Sequence, residues 1–141
     1  MKKEFIPYEQ ALELKELGFN EECSAYYFVY QDKLRFSYAG IEFDFDSGND
    51  YIDLVNYSDY TPKEYAIAPT YRQAFRWFRE KYNITSEISI SANHRNDAKK
   101  WMHSVTNLEV MLYTNSDTTF ETYEEAELAC LKKLIEIAKN K

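Results

Sequence analysis

Short segments in which apolar and polar residues alternate recur along this chain, and such alternation is typical of strands with one buried face. Residues 34–38 and 87–92 show the pattern most clearly. Residues 25–30 are rich in strand-forming side chains, and only the turn at 31–33 separates them from 34–38. These two segments therefore predict a β-hairpin, and residues 41–45 are predicted to extend its second strand through a bulge.

Three further segments repeat apolar residues at the helical period: residues 7–17, 70–82 and 122–138. Pro7 suits the first position of a helix, and Gly18 suits the position just after its end. Thr122 and Glu125 have the spacing of a capping box, which marks a helix start. The sequence therefore predicts three helices, with the strongest signal in the last.

The remaining segments complete the predicted order of elements. Residues 46–69 are the least regular and predict a long loop, with one short strand near residues 51–55. Residues 100–105 and 108–113 predict one or two more strands. The sequence thus predicts an α+β fold with an antiparallel sheet of four to five strands, three helices packed on it and the order α-β-β-α-β-β-(β)-α. Residues 1–141 are expected to form a single domain.

The charge and the cysteine content limit the classes of partner and location. The formal net charge is -7 and the isoelectric point is about 4.9, which disfavours a nucleic-acid partner because phosphate backbones are repelled. The start of the sequence lacks the apolar segment of a signal peptide, and no stretch is long and apolar enough to span a membrane. Cys23 and Cys130 are expected to be reduced thiols. We expect a cytoplasmic protein with no membrane partner and no cofactor.

Two groups of polar residues have side chains that can bind a metal ion or transfer a proton. The acidic segment 44–50 resembles a calcium loop, but Gly48 and Val55 stand where that loop needs other residues. His94 and Asp97 share a predicted turn, and a carboxylate-paired histidine can act as a general base. Neither spacing matches an established pattern, so no metal ligand and no catalytic residue is assigned. A small metal-dependent hydrolase using Asp44, Asp46, His94 or His103 remains an alternative.

The second predicted helix carries a basic stripe. Arg72, Arg76 and Arg79 recur at i, i+4 and i+7 and so share one side of the helix, while Trp77 is predicted to project from another flank. Arginine and tryptophan are enriched at the centres of protein interfaces. These four residues are therefore partner-binding candidates. An arginine stripe can also follow phosphates, which makes nucleic-acid binding a second alternative, and an ordinary solvated helix face explains the charges as well.

The last predicted helix is apolar over an unusual width. Leu128, Leu131 and Ile135 form a second apolar stripe beside the main one. One sheet can bury only one stripe, so the other needs a second helix, for which the predicted helix over residues 7–17 is the simpler candidate, or a second subunit. Leu128, Leu131 and Ile135 are therefore the candidate interface of a possible homodimer.

Two helical segments carry a resemblance to known sequences: residues 68–82, APTYRQAFRWFREKY, and residues 122–136, TYEEAELACLKKLIE. They resemble parts of small proteins from Bacteroidota and from their phages or prophages, for which no activity is known. The resemblance implies no site residue, but it favours an accessory protein that acts on another macromolecule. Together with the surplus of aromatic side chains, it leads us to expect a non-enzymatic protein-interaction or regulatory accessory module.

Overall fold

A computed structural model of the chain describes residues 2–38, 41–44, 65–91 and 100–141. It divides the chain into two compact units, Met1–Thr70 and Tyr71–Lys141. The described residues contain three α-helices and two antiparallel sheets, so the α+β class predicted from the sequence is confirmed. The single domain over residues 1–141 stays a prediction.

The first helix, α1 (Tyr8–Glu16), lies inside the predicted segment 7–17 and begins one residue later than Pro7 predicts. Pro7 occupies the N-cap position in an extended conformation. Gly18 has a φ of 89°, a value that glycine adopts at little cost and that turns the chain away from the helix. The helix buries Gln10, Ala11 and Leu14 within the first unit.

Four strands form the sheet of the first unit: β1 (Ala25–Phe28), β2 (Arg35–Tyr38), β3 (Ile41–Asp44) and β4 (Tyr65–Ile67). Their order in the sheet is β3-β2-β1-β4, and every pairing is antiparallel. Strand β1 lies between two neighbours and is buried at every position, as expected for a central strand of this composition. The β1–β2 pairing confirms the hairpin predicted for this region.

Two predictions for the first unit are wrong. Residues 41–44 do not continue β2 through a bulge; they fold back beside it, because Tyr38 pairs with Ile41 in an antiparallel register. Residues 65–67, placed in the predicted loop, form β4 and add to the other side of β1. Residues 46–64 of that loop, which include the short strand predicted near residues 51–55, lie outside the described residues.

The second unit contains α2 (Tyr71–Tyr82), β5 (Ile84–Ile90), β6 (Trp101–Asn107), β7 (Leu112–Asn115) and α3 (Tyr123–Lys139). Asn83 adopts a positive φ of 54°, which asparagine tolerates well, and so allows α2 to pass directly into β5. The three strands pair antiparallel in the order β5-β6-β7. The predicted break near Thr106 is wrong, since β6 runs through Asn107 and the chain turns after it.

Helix α3 is fixed by its N-terminal cap and by contacts on two sides. The Thr122 hydroxyl accepts a hydrogen bond from the Glu125 N–H, and the Glu125 carboxylate accepts one from the Thr122 N–H, so the predicted capping box is confirmed. The helix packs on β6 and β5 and also against α2. Two apolar stripes can therefore be buried within one unit.

The predicted single sheet of four to five strands is corrected by this arrangement. The described strands form one sheet of four and another of three, and two strands, β3 and β4, precede α2 in addition to the predicted pair. The strands fall into two sheets because β2 and β4 both pair with β1, while β5 pairs with β6. None of the helices in the described residues is long and apolar enough to cross a membrane.

Candidate functional site

The arginine stripe of α2 lines a groove within the second unit. Arg72, Arg76 and Arg79 are exposed, and all three line a cavity of about 740 Å³ that we call the arginine groove. Their spacing of four and three residues places them on neighbouring turns of one helix face. The structure therefore brings together the three arginines that the sequence singled out.

The other walls of the arginine groove come from β5 and α3. Thr85 and Ser86 contribute hydroxyl groups, and Tyr123 and Glu127 contribute a phenol and a carboxylate. They reach the groove because α2 passes directly into β5 and α3 packs against both elements. No signal in the sequence identifies these four residues, because their placement depends on tertiary packing.

The groove has an uneven distribution of charge. In the described part of the chain, neither Arg72 nor Arg79 forms an ion pair or hydrogen bond, so both guanidinium groups are available to a ligand. Burial raises the pKa of the Glu127 carboxyl, and the neighbouring Glu124 raises it further. Burial, followed by the charge of Glu127, also raises the pKa of the Tyr123 phenol. The groove thus offers strong cationic donors with one carboxylate at its α3 wall.

Trp77 does not belong to this surface. Its side chain is only 6% exposed, and its ring meets Phe78 edge-on at a centroid distance of 5.1 Å. A residue buried to this extent cannot present its ring to a partner, so the sequence-based assignment of Trp77 to a binding surface is corrected. Its burial also shows that α2 turns a wider apolar face inward than predicted, with Tyr71, Ala74 and Phe78.

The proposed homodimer stripe on α3 is also largely buried. Leu131 is 0% exposed and Ile135 is 2% exposed, whereas Leu128 is half-buried. Contacts of α3 with α2 and with the β5–β6 strands account for two covered sides of the helix. Leu131 and Ile135 are therefore core residues and cannot form the interface predicted from the sequence.

The two cysteines are free thiols in the structure. Burial raises the pKa of the Cys130 thiol to about 12, although a hydrogen bond with Ser86 acts in the opposite direction. A thiol with such a pKa is almost fully protonated near neutrality, and the thiolate is the reactive form. Cys130 thus packs behind the arginine groove as a core residue, and Cys23 is half-buried.

The predicted polar groups do not form a described catalytic cluster. His103 is buried rather than half-buried, its ring stacks on Phe120, and burial together with Lys133 lowers its pKa. It lines a second cavity of about 390 Å³ in the second unit. Asp44 ends β3 in the first unit, and the remaining candidates lie outside the described residues: Asp46, His94 and Asp97. Among described residues, no group of three or more histidine, cysteine or acidic side chains could hold a metal ion.

Comparison with protein-family models, with curated proteins and with solved structures found no match to this chain. The function therefore has to be inferred from the chemistry of the site. The feature with the clearest chemistry is the arginine groove, since it combines three guanidinium groups with a concave surface.

Proposed function

We propose that this protein is a non-enzymatic protein-interaction module that binds an acidic segment of a partner protein in the arginine groove. The observation that carries the proposal is the convergence of Arg72, Arg76 and Arg79 on one groove, in a chain whose formal net charge is -7. Guanidinium groups bind carboxylates in a paired, planar geometry that gives both affinity and orientation. The resemblance of the two helical segments to small proteins of Bacteroidota and their phages implies no activity of its own, but an accessory role for this chain is compatible with it.

An acidic protein segment fits this groove better than a nucleic acid does. The net negative charge of the chain repels a long polyphosphate backbone, whereas a short acidic segment contacts only the local positive surface. The Tyr123 and Phe75 rings at the groove add apolar surface for the side chains between the acidic residues. The hydroxyl groups of Thr85 and Ser86 can donate further hydrogen bonds to carboxylate oxygens. No described feature favours the alternative of a metal-dependent hydrolase.

Reversing two groove charges should weaken the binding of an acidic peptide at least about tenfold. Each exposed charge pair contributes up to about 1 kcal/mol, and reversal adds repulsion to the loss of attraction. The variant is Arg72→Glu with Arg79→Glu, and the probe is a fluorescein-labelled hexaglutamate peptide measured by fluorescence anisotropy. Its control is Lys3→Glu with Lys132→Glu, which changes the net charge equally at exposed residues outside the groove.

The result of that experiment separates the proposed function from its alternatives. Equal loss of affinity in both double variants would mean that net charge rather than the groove attracts the peptide, which contradicts the proposal. Tighter binding of a single-stranded oligonucleotide than of the peptide, with a steep dependence on salt, would favour nucleic-acid binding instead. Binding of the peptide that is lost only in the groove variant is the expected outcome.

The Glu127 carboxylate should make binding in the groove depend on pH. Above its raised pKa, Glu127 is ionised and repels an acidic ligand; below that pKa it is neutral. Glu127→Gln should therefore bind the hexaglutamate peptide roughly fivefold tighter than the native protein near neutral pH, the ratio that ~1 kcal/mol of repulsion gives. The two affinities should converge as the pH falls, and anisotropy titrations across the pH range measure their ratio. Equal affinities of the two proteins near neutral pH would show that Glu127 does not face the ligand.

A further inference from the structure

The hairpin formed by β6 and β7 exposes five large apolar side chains in its turn and along β7, which we call the apolar strip and which do not line the arginine groove. Val110 is 67% exposed, Met111 75%, Leu112 61% and Tyr113 57%, and Leu108 is also exposed. Soluble monomers rarely expose a contiguous apolar patch larger than a few hundred Å². A strip of five large apolar side chains at one hairpin is therefore a candidate interface.

Strand β7 also has backbone N–H and C=O groups that are not paired with a described strand. Strand β7 lies at the edge of its sheet, and no described strand pairs with its outer side. The Ser116 N–H donates to the His103 carbonyl, so Ser116 faces β6. In an antiparallel ladder the facing direction alternates, and the N–H and C=O groups of Tyr113 and Asn115 consequently point away from β6. These groups are free to pair with a further strand.

The sequence of β7 carries none of the features that usually block such pairing. Native edge strands are often protected by a lysine, a proline or a bulge. Residues 112–115 are Leu-Tyr-Thr-Asn, with no charge and no proline. Their pairing with β6 is regular over its whole length, without a bulge. The β7 edge is therefore competent to accept a strand.

We propose that the occupant of the β7 edge is the β7 strand of a second copy of this chain, so that two sheets join into one across a two-fold axis. Charge is the argument for a second copy. Each copy carries a net charge of -7, so the mutual repulsion of two copies is smallest where they meet through a surface without net charge. The strip of residues 108–115 contains one charged residue, Glu109, and its carboxylate is paired with Lys141 at 3.6 Å.

The strip is also complementary to itself. Antiparallel pairing about a two-fold axis beside Tyr113 brings the outward N–H and C=O groups of this residue against the same groups of the second copy. Leu112 and Met111 then lie beside the partner strand, where their apolar surface is covered. A peptide from another protein would cover the strip of one chain, whereas a second copy brings the same exposed side chains, so that one pairing covers both strips. A second copy therefore fits the observations better than a peptide from another protein.

The test is the mass of the protein in solution, measured by sedimentation equilibrium from low micromolar to millimolar concentration. We expect the native chain to form a dimer and Leu112→Lys with Tyr113→Lys to be a monomer. Both side chains are more than half exposed, so the substitutions should leave the thermal unfolding temperature nearly unchanged when both chains are compared at a concentration where the native chain is monomeric. Ser24→Lys with Asn20→Lys, at two exposed sites in the first unit, adds the same two positive charges; it is the charge control and should remain a dimer.

A second variant distinguishes strand pairing from apolar contact alone. Asn115→Pro removes an N–H that points away from β6 and leaves every apolar side chain of the strip in place. Strand pairing predicts that this variant also becomes a monomer while its fold is retained. A native chain that is monomeric over the whole concentration range, a dimer that survives the lysine substitutions, or one that survives Asn115→Pro would each overturn the proposal.

Discussion

Replacing Trp77 with alanine should lower the free energy of unfolding by about 3–5 kcal/mol, the usual cost of truncating a buried large aromatic residue. The indole is 6% exposed and meets the Tyr82 ring edge-on at 5.5 Å. The Lys81 ammonium lies 4.8 Å from the indole centroid, so an attraction between cation and ring is lost as well. Urea denaturation followed by circular dichroism measures the change.

Arg72→Ala is the matched control on the same helix, because its side chain is exposed and forms no described ion pair. Its effect on stability should stay within about 0.5 kcal/mol. The comparison decides between two roles for Trp77. If Trp77→Ala left the stability unchanged and abolished peptide binding, the residue would belong to a binding surface after all, contrary to its burial.

The misassignment of Trp77 shows where the sequence pattern of α2 is ambiguous. The helical period of residues 70–82 predicts Phe75 on the apolar face and Trp77 on the flank. The structure instead buries Trp77 and gives Phe75 a half-buried place at the arginine groove. Both rings are apolar and lie two positions apart, so periodicity alone cannot tell which one faces the core. The choice depends on how the helix is rotated against β5 and α3, which is a property of tertiary packing.

Features set by neighbouring residues could be predicted, and those set by distant partners could not. The start of α3 follows from Thr122 and Glu125, and the end of α1 from Gly18, because capping involves residues a few positions apart. The β1–β2 hairpin is local in the same sense. The β1–β4 pairing joins residues about forty positions apart along the chain, with no local signal for the partner.

The candidate site also combines a local feature, which the sequence predicts, with a feature that depends on residues distant along the chain. The three arginines share one helix, so their common face could be deduced from a spacing of three and four residues. The groove itself exists only because β5 and α3 bring Ser86 and Glu127 opposite that face. A sequence pattern can therefore identify the arginines of such a site. The depth of the groove and the position of the Glu127 carboxylate in its wall depend on the folded structure and cannot be predicted in this way.

Replacing Leu131 with alanine should lower the free energy of unfolding by about 2–5 kcal/mol, because a fully buried leucine leaves a cavity when it is truncated. Leu128→Ala is the matched control on the same stripe of α3; since Leu128 is only half-buried, its cost should be clearly smaller. Both values come from urea denaturation at several protein concentrations.

The concentration series tests whether this stripe serves folding or association. If Leu131 packs inside the second unit, the loss of stability in Leu131→Ala is an effect on the fold, and the variant should keep the same association behaviour as the native chain. If the stripe were a homodimer interface, Leu128→Ala and Leu131→Ala would both weaken association and would differ little in cost. An equal cost for the two variants, accompanied by dissociation, would contradict the burial of Leu131 and restore the interface expected from the sequence.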